Sequence, residues 1–136
     1  MNNSVKNDRI LILDFGSQVT QLIARRIRES GVYCEIYPYM KWEEGINAIQ
    51  PLGIILSGGP ASVIEDSSPQ VAKEVLDYNV PILGICYGQQ TLCSQLGGKV
   101  ENSSKREFGR ANIEIIEDSK FFHGFDKNNL NEPVWM

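Results

Sequence analysis

Pro81-Ile-Leu-Gly-Ile-Cys-Tyr-Gly-Gln-Gln90 is the stretch that decides the fold, because it predicts a short strand followed at once by a helix. The apolar run Ile82–Ile85 suits a parallel strand that is covered on both faces. Four residues beyond it recur at helical spacing: Gln89, Leu92, Cys93 and Leu96. Gly97-Gly98 ends this pattern. Cys86 therefore falls in the turn between strand and helix.

The predicted position of Cys86 at a helix start has chemical meaning. The first N–H groups of a helix have no intrahelical partner and favour negative charge, so they can hold a developing oxyanion. Gly84 and Gly88 lie two residues away on either side, which gives the cysteine counterpart of the Gly-x-Ser-x-Gly nucleophile elbow. The spacing alone leaves two interpretations open, a catalytic cysteine or a small buried hydrophobic residue before a helix.

Composition narrows the classes of function. A chain of 136 residues that is 42% hydrophobic is one soluble globular domain or part of one. The net charge of -4 argues against a general nucleic-acid or membrane surface, and the basic cluster Arg25–Arg28 is interpreted as the solvated side of a helix. Three cysteines without paired spacing favour neither a metal site nor a disulfide framework, so we expect a reducing, cytoplasmic compartment.

Strand and helix patterns alternate along the first hundred residues. Residues 1–8 are polar and are interpreted as a flexible leader. Three further strands are predicted, at Arg9–Leu13, Val32–Tyr37 and Gly53–Leu56. Three further helices are predicted: one capped by Ser17 with the apolar stripe Val19, Leu22, Ile23 and Ile27, one at Trp42–Ile49, and one from about Pro69 to Tyr78. Cys34 and Cys93 are expected in the core.

The character of the sequence changes after Gly98. Alternation at Lys99–Asn102 and Gly109–Glu117 predicts antiparallel strands, and residues 121–125 predict an aromatic turn around His123. Residues 128–133 are interpreted as a polar loop. The four strand-and-helix units before this region predict an α/β fold with a three-layer, mostly parallel open sheet. Ser57-Gly58-Gly59-Pro60 then lies at the carboxyl end of a parallel strand, where such sheets bind ligands.

Three stretches together resemble the class I glutamine amidotransferase family, and more narrowly the amidotransferase portion of the GMP synthase family. They are Asp14–Arg28, Ile55–Pro60 and Gly84–Gln90, supported by Gly31–Pro38 and Arg106–Gly109. The similarity runs from about Arg9 to Met136. It implies a flavodoxin-like sheet and one amidotransferase domain over residues 9–136, from which the C-terminal strands of the family are missing.

The resemblance implies a role for each matching residue. Cys86 matches the nucleophile that attacks the side-chain amide of L-glutamine, releases ammonia and leaves a γ-glutamyl thioester. Gly59 and Tyr87 match the backbone donors of the oxyanion hole. Gly58 and Gln90 match residues of the glutamine pocket. The resemblance implies no cofactor or metal for this domain. The partner that it implies is a synthetase domain or subunit that uses ATP and Mg²⁺ to convert XMP to GMP.

One departure from the family bears on activity. The His and Glu of the family's catalytic triad would follow Met136, and His123 matches neither, so we expect the 136-residue chain to be inactive by itself. Two other functions remain open: a different cysteine hydrolase of this fold, such as a γ-glutamyl hydrolase, and a non-catalytic binding module in which Cys86 is buried. The sequence leaves open whether a synthetase domain is fused or separate. It also leaves open whether the full-length enzyme is a homodimer.

Overall fold

Four parallel strands build the main sheet in the computed structural model, which describes residues 8–61, 64, 67–103, 109–125 and 132–135. The strands are β1 (Arg9–Asp14), β2 (Tyr33–Pro38), β3 (Gly53–Leu56) and β4 (Ile82–Gly84). Their order is β2-β1-β3-β4, with every neighbouring pair parallel. This is the strand order of a flavodoxin-like sheet, as the resemblance implied. The predicted leader falls almost wholly outside the described residues.

Four helices alternate with these strands, which confirms the predicted α/β organisation. They are α1 (Thr20–Glu29), α2 (Trp42–Ile49), α3 (Lys73–Leu76) and α4 (Tyr87–Gln95), and a 3₁₀ turn at Tyr39–Lys41 leads into α2. The chain separates into two units, Met1–Glu101 and Asn102–Met136. The sheet and all four helices belong to the first unit.

The sheet carries a buried cluster on each face, because successive side chains of a strand point to opposite sides. On one face, Leu11 and Leu13 pack with residues of α2, α3 and α4. On the other face, Ile12 packs with Ala24 of α1 and with Cys34 of β2. The predicted three layers are therefore confirmed, and so is the prediction that Cys34 lies in the core, since it is 1% exposed.

The beginning of α1 differs from the prediction. Val19, not Ser17, is the N-cap residue, and the Ser17 hydroxyl accepts a hydrogen bond from the Val19 N–H at 3.1 Å. Ser17 is therefore part of a turn that precedes the helix. The predicted apolar stripe is also rotated, because Val19 and Leu22 are 44% and 50% exposed while Ala24 is fully buried.

The third helix is much shorter than predicted, and Gln95 explains the difference. The Gln95 side-chain amide accepts from the Val71 N–H at 2.9 Å and donates to the Val71 carbonyl at 2.8 Å. Both backbone groups of Val71 are thus occupied by a side chain of α4, as a neighbouring strand would occupy them. Residues 68–72 form no helix, and α3 consists of Lys73–Leu76 alone.

Two predictions for the region of β4 and α4 are wrong. Leu83 is 39% exposed, since β4 is the edge strand of the described sheet and is not covered on both faces. Cys93 is exposed and not part of the core. The helix buries Tyr87, Gly88 and Thr91 instead of the predicted stripe, so the face that contains Cys93 and Leu96 points away from the sheet.

The second unit contains a short antiparallel pair. Strands β5 (Arg110–Ile113) and β6 (Glu132–Trp135) pair antiparallel, which confirms the antiparallel prediction for part of residues 109–117. Residues 99–102 form no strand. A 3₁₀ turn at Lys120–Phe122 begins the predicted aromatic turn. The Arg106–Gly109 motif lies outside the described residues except for its glycine, and so does most of the predicted 128–133 loop.

Candidate active site

Cys86 occupies a strained turn between β4 and α4. Its backbone has φ +52° and ψ −117°, a conformation that a residue with a side chain rarely adopts, and α4 begins at the next residue. The cysteine is exposed. The interpretation of Cys86 as a small buried hydrophobic residue is therefore wrong, and the structure has the geometry of a nucleophile elbow.

The two glycines of the elbow are required by close backbone contacts. A Cβ atom on Gly84 would lie 2.7 Å from the Gln89 Cα, because the first turn of α4 folds back over the end of β4. A Cβ atom on Gly88 would lie 2.2 Å from the Leu56 carbonyl oxygen of β3. Both distances are shorter than real contacts of a Cβ atom, so a side chain at either position would displace Cys86.

An open cleft of about 420 Å³ lies next to Cys86. Three loops line it: residues 16–19 after β1, residues 58–60 after β3, and Cys86 after β4. All three loops follow the carboxyl ends of parallel strands. The cleft thus includes the point between β1 and β3 where the strand order reverses, which is where open α/β sheets bind ligands.

Gly58 and Gly59 bring the loop after β3 close to the other walls of the cleft. A Cβ atom on Gly58 would lie 3.1 Å from the Cys86 Cβ, and one on Gly59 would lie 2.2 Å from the Phe15 carbonyl oxygen. Neither the Gly59 N–H nor the Tyr87 N–H donates a hydrogen bond to another group of the described chain. Within the described chain, both N–H groups therefore lack an acceptor.

The side chain of Tyr87 anchors the beginning of α4. Tyr87 is 2% exposed, and its ring lies 5.4 Å from the ring of Phe15, which in turn stacks on Tyr39 at 4.7 Å. The Tyr87 hydroxyl donates to the Pro69 carbonyl. Because the ring is packed in the core, the backbone N–H of Tyr87 is fixed at the base of the elbow.

Asp14 connects two walls of the cleft, and sequence reasoning missed this role. Its Oδ1 atom accepts hydrogen bonds from the Gly16 N–H at 2.8 Å and from the Ser17 N–H at 3.2 Å. The same atom accepts from the Thr20 hydroxyl at 3.0 Å and lies 3.4 Å from the Ser57 hydroxyl. A carboxylate at the carboxyl end of a buried strand was the available signal, because ligands bind beyond such strand ends.

The cleft contains only some of the predicted site residues. Gly58, Gly59 and Cys86 line it, whereas Tyr87 and Gln90 do not. Gln90 is half-buried, and its N–H donates to the Cys86 carbonyl at 3.1 Å within the first turn of α4.

Among the described residues, no group of His, Cys, Asp and Glu side chains could hold a metal ion. None of the described helices has the length and apolar character of a membrane-spanning helix.

The fold and the cysteine elbow define a class of enzymes, and comparison with known families agrees with it. Residues 11–136 match the glutamine amidotransferase class-I family. The chain belongs to the class-I glutamine amidotransferases.

Two of its relatives are glutamine-hydrolysing GMP synthases. That of Agrobacterium fabrum is 60% identical over 129 residues, which cover 95% of this chain and 25% of the relative. That of Phenylobacterium zucineum is 55% identical over 136 residues, which cover 100% of this chain and 26% of the relative.

The chain thus spans about a quarter of the length of these curated relatives. A solved structure is also similar, that of a Thermoplasma acidophilum protein described as a candidate component of GMP synthase. It superposes with a TM-score of 0.76 at 30% sequence identity, and the match covers 94% of this chain and 63% of that chain. The agreement extends to the mostly parallel α/β sheet predicted from the sequence.

Proposed function

We propose that this chain is the glutamine-hydrolysing part of a GMP synthase and that Cys86 is its nucleophile. The observation that carries the proposal is the placement of Cys86. It is exposed, it lies at the start of α4, and it lines an open cleft together with Gly58 and Gly59. A binding module with a buried, unreactive cysteine would need neither the strained backbone at Cys86 nor the cleft beside it.

The proposed first step is acyl transfer to sulfur. The Cys86 thiolate attacks the carbon of the glutamine side-chain amide, and the carbonyl oxygen takes up the negative charge. The N–H groups of Gly59 and Tyr87, which have no acceptor within the described chain, supply the two hydrogen bonds that such an oxyanion needs. The C–N bond then breaks, ammonia leaves with a proton from the general acid, and a γ-glutamyl thioester remains on Cys86.

The second step returns the enzyme to its starting state. Water attacks the thioester carbon, the C–S bond breaks, and glutamate leaves while Cys86 regains its thiol. Both steps need a base that takes and returns a proton. In the amidotransferase family this base is a His that is held by a Glu. Neither residue has a counterpart in residues 1–136. Gly58, which lines the cleft, completes the proposal as a residue of the glutamine pocket, whereas the role of Gln90 rests on the resemblance alone.

Ammonia from this site would be used by a synthetase domain or subunit that converts XMP to GMP with ATP. The named relatives are GMP synthases about four times as long as the matched segment, in keeping with such a partner. ATP and Mg²⁺ would belong to that partner. Among the described residues of this chain, no group of His, Cys, Asp and Glu side chains could hold the Mg²⁺ ion.

A chimera tests the proposal with a complete catalytic apparatus. The matching segment of the Agrobacterium fabrum GMP synthase is replaced by this chain, and three proteins are compared: the chimera, its Cys86→Ala variant and its Cys93→Ala variant. Cys93 is the matched control, because it is a second exposed cysteine of the same helical region. We expect glutamine-dependent GMP formation to disappear only in Cys86→Ala, while GMP formation from added ammonia persists in all three.

Two results would contradict the proposal. The first is release of glutamate from glutamine by the Cys86→Ala variant at the rate of the parent chimera. The second is a chimera that hydrolyses γ-glutamyl peptides in preference to glutamine, which would favour a γ-glutamyl hydrolase. Isolation of a labelled γ-glutamyl group on the peptide that contains Cys86 would support the thioester directly.

A further inference from the structure

Ser57 is a junction between β1, the elbow and the carboxylate of Asp14. Its N–H donates to the Leu13 carbonyl at 3.0 Å, and its carbonyl accepts from the Gly88 N–H at 3.1 Å. Its side chain lies between Asp14 and Thr20. Since Gly58 and Gly59 follow Ser57 directly, the orientation of Ser57 sets the direction in which this wall of the cleft leaves the sheet.

The side chains around Ser57 form a buried polar network. Ser57 is fully buried and Thr20 is 2% exposed, and their hydroxyl oxygens are 3.0 Å apart. The Thr20 hydroxyl has one proton, which it can donate to the Ser57 hydroxyl oxygen or to the Asp14 Oδ1 atom, each at 3.0 Å. The Ser57 hydroxyl in turn lies 3.4 Å from the Asp14 Oδ1 atom and 3.3 Å from the Gly58 carbonyl oxygen. The Asp14 Oδ1 atom is therefore an acceptor that the two buried hydroxyls share, and its charge makes it a stronger acceptor than a neutral oxygen.

The same oxygen of Asp14 also fixes the loop after β1. It accepts the N–H groups of Gly16 and Ser17, which line the cleft opposite Gly58. One carboxylate oxygen thus holds two of the three walls of the cleft relative to each other. It does so without lining the cleft itself, because Asp14 is not among the residues that face it.

We propose that Asp14 is a positioning residue of the active site, which holds the Gly59 N–H and the loop after β1 in place against Cys86. The inference rests on the proposed function, because the groups that this one carboxylate would hold in position are the proposed catalytic groups. A displacement of about 1 Å in a catalytic group can lower a rate on the order of 100-fold. Loss of Asp14 should therefore reduce the turnover number more than it reduces affinity for glutamine.

The test uses the chimera and a set of matched variants. Asp14→Ala removes the acceptor, Asp14→Asn keeps an oxygen acceptor at the same place, and Ser57→Ala removes the neighbouring hydroxyl. We expect Asp14→Ala to lower kcat for glutamine hydrolysis on the order of 10- to 100-fold with a smaller change in KM. We expect Asp14→Asn to restore most of the activity. In Asp14→Ala, alkylation of Cys86 by iodoacetamide and GMP formation from ammonia should persist, because neither requires the Gly59 N–H.

The double variant Asp14→Ala/Ser57→Ala tests the route of the effect. If Asp14 acts through Ser57, the two reductions in kcat are less than multiplicative. Multiplicative reductions, an Asp14→Ala variant with the parent kcat, or an equal loss of Cys86 alkylation in that variant would overturn the inference. If Asp14→Ala fails to fold, Thr20→Val decides: it removes the hydroxyl that contacts both Asp14 and Ser57, and an unchanged kcat would overturn the inference. A parent chimera without glutaminase activity would instead contradict the proposed function, so the two failures are distinguishable.

Discussion

Gly88 of α4 approaches the backbone of β3 so closely that a Cβ atom there would lie 2.2 Å from the Leu56 carbonyl oxygen. Because the neighbour is backbone in a buried strand, it cannot rotate away as a side chain could. We predict that Gly88→Ala pushes α4 from the sheet and lowers the free energy of unfolding by about 3 kcal/mol. Denaturant unfolding of the chain measures this change.

Gly53 is the control for this substitution. It lies in β3 itself, but a Cβ atom on Gly53 would have no neighbour nearer than the Pro81 carbonyl oxygen at 3.7 Å. Gly53→Ala should therefore leave stability within about 1 kcal/mol of the parent, since Ala loses less conformational freedom on folding than Gly. Equal destabilisation by the two substitutions would contradict the assigned close contact.

The three cysteines should differ in their response to alkylation. Cys34 is 1% exposed and should be protected in the folded chain, while Cys86 and Cys93 are exposed and should react. In the chimera, glutamine should slow alkylation of Cys86 alone, because only Cys86 lines the cleft. Peptide mapping after limited alkylation measures all three rates. Protection of Cys93 by glutamine, or rapid labelling of Cys34, would conflict with this arrangement.

The hydroxyl of Tyr87 should contribute to stability through the Pro69 carbonyl. Tyr87→Phe keeps the packed ring but leaves that carbonyl without its donor, which typically costs about 1–3 kcal/mol. Tyr39→Phe is the control, because the Tyr39 hydroxyl has no hydrogen bond within the described chain. Thermal or denaturant unfolding should show a loss for Tyr87→Phe only. A comparable loss in both variants would argue against the hydrogen bond.

The tyrosines of β2 should titrate above their ordinary range. The hydrogen bond to Glu35 raises the pKa of Tyr33, with smaller contributions from burial and from the negative charge of Glu35. Burial and the charge of Glu35 also raise the pKa of Tyr37. A raised pKa means that this contribution to stability is present below the pKa of an unfolded tyrosine and is lost as the pH rises through the folded value.

Substitution of the two glutamates separates these causes. Glu35→Gln should lower the pKa of both tyrosines, whereas Glu44→Gln should lower that of Tyr37 alone, because only Tyr37 is raised by the charge of Glu44. Titration of ring-labelled tyrosines by NMR distinguishes the two residues. An unchanged pKa of Tyr33 in Glu35→Gln would show that the hydrogen bond does not form in solution.

His123 should have no part in glutamine hydrolysis. It is exposed and follows the 3₁₀ turn Lys120–Phe122, and it matches no functional residue of the family. We predict that the 136-residue chain alone releases no glutamate from glutamine, because it contains no other histidine to serve as base. His123→Ala should leave the chimera's activity unchanged. Activity of the short chain that disappears with His123→Ala would overturn this prediction.

Much of the fold could be predicted because β1 and β3 are short apolar runs followed by turns that contain glycine. The bounds of α2 and β3 agree with the prediction to the residue, and Cys86 lies in the predicted turn. The apolar periodicity predicted the wrong buried face for α4, because two faces of this helix have similar polarity. In α4 a threonine and a glycine face the sheet, so counting apolar residues selected the face that contains Cys93.

The connections within the site could not be predicted in the same way. Local sequence favours a helix from Pro69 onward, but Gln95 occupies the backbone groups of Val71 from 24 residues away. Likewise, the hydrogen bond between Thr20 and Ser57 joins residues 37 positions apart. Such pairings depend on the packing of whole elements, which no local pattern encodes.

The backbone of Cys86 has an evolutionary consequence. A non-glycine residue held at φ +52° and ψ −117° costs the fold about 1–3 kcal/mol, and glycine would adopt the same conformation with little strain. Selection for stability alone would therefore replace this cysteine with glycine, and the resulting chain would be more stable but would have no nucleophile. A copy of the gene released from its function should lose Cys86 early, and a glycine at this position in a diverged relative would mark a lineage that has abandoned the chemistry.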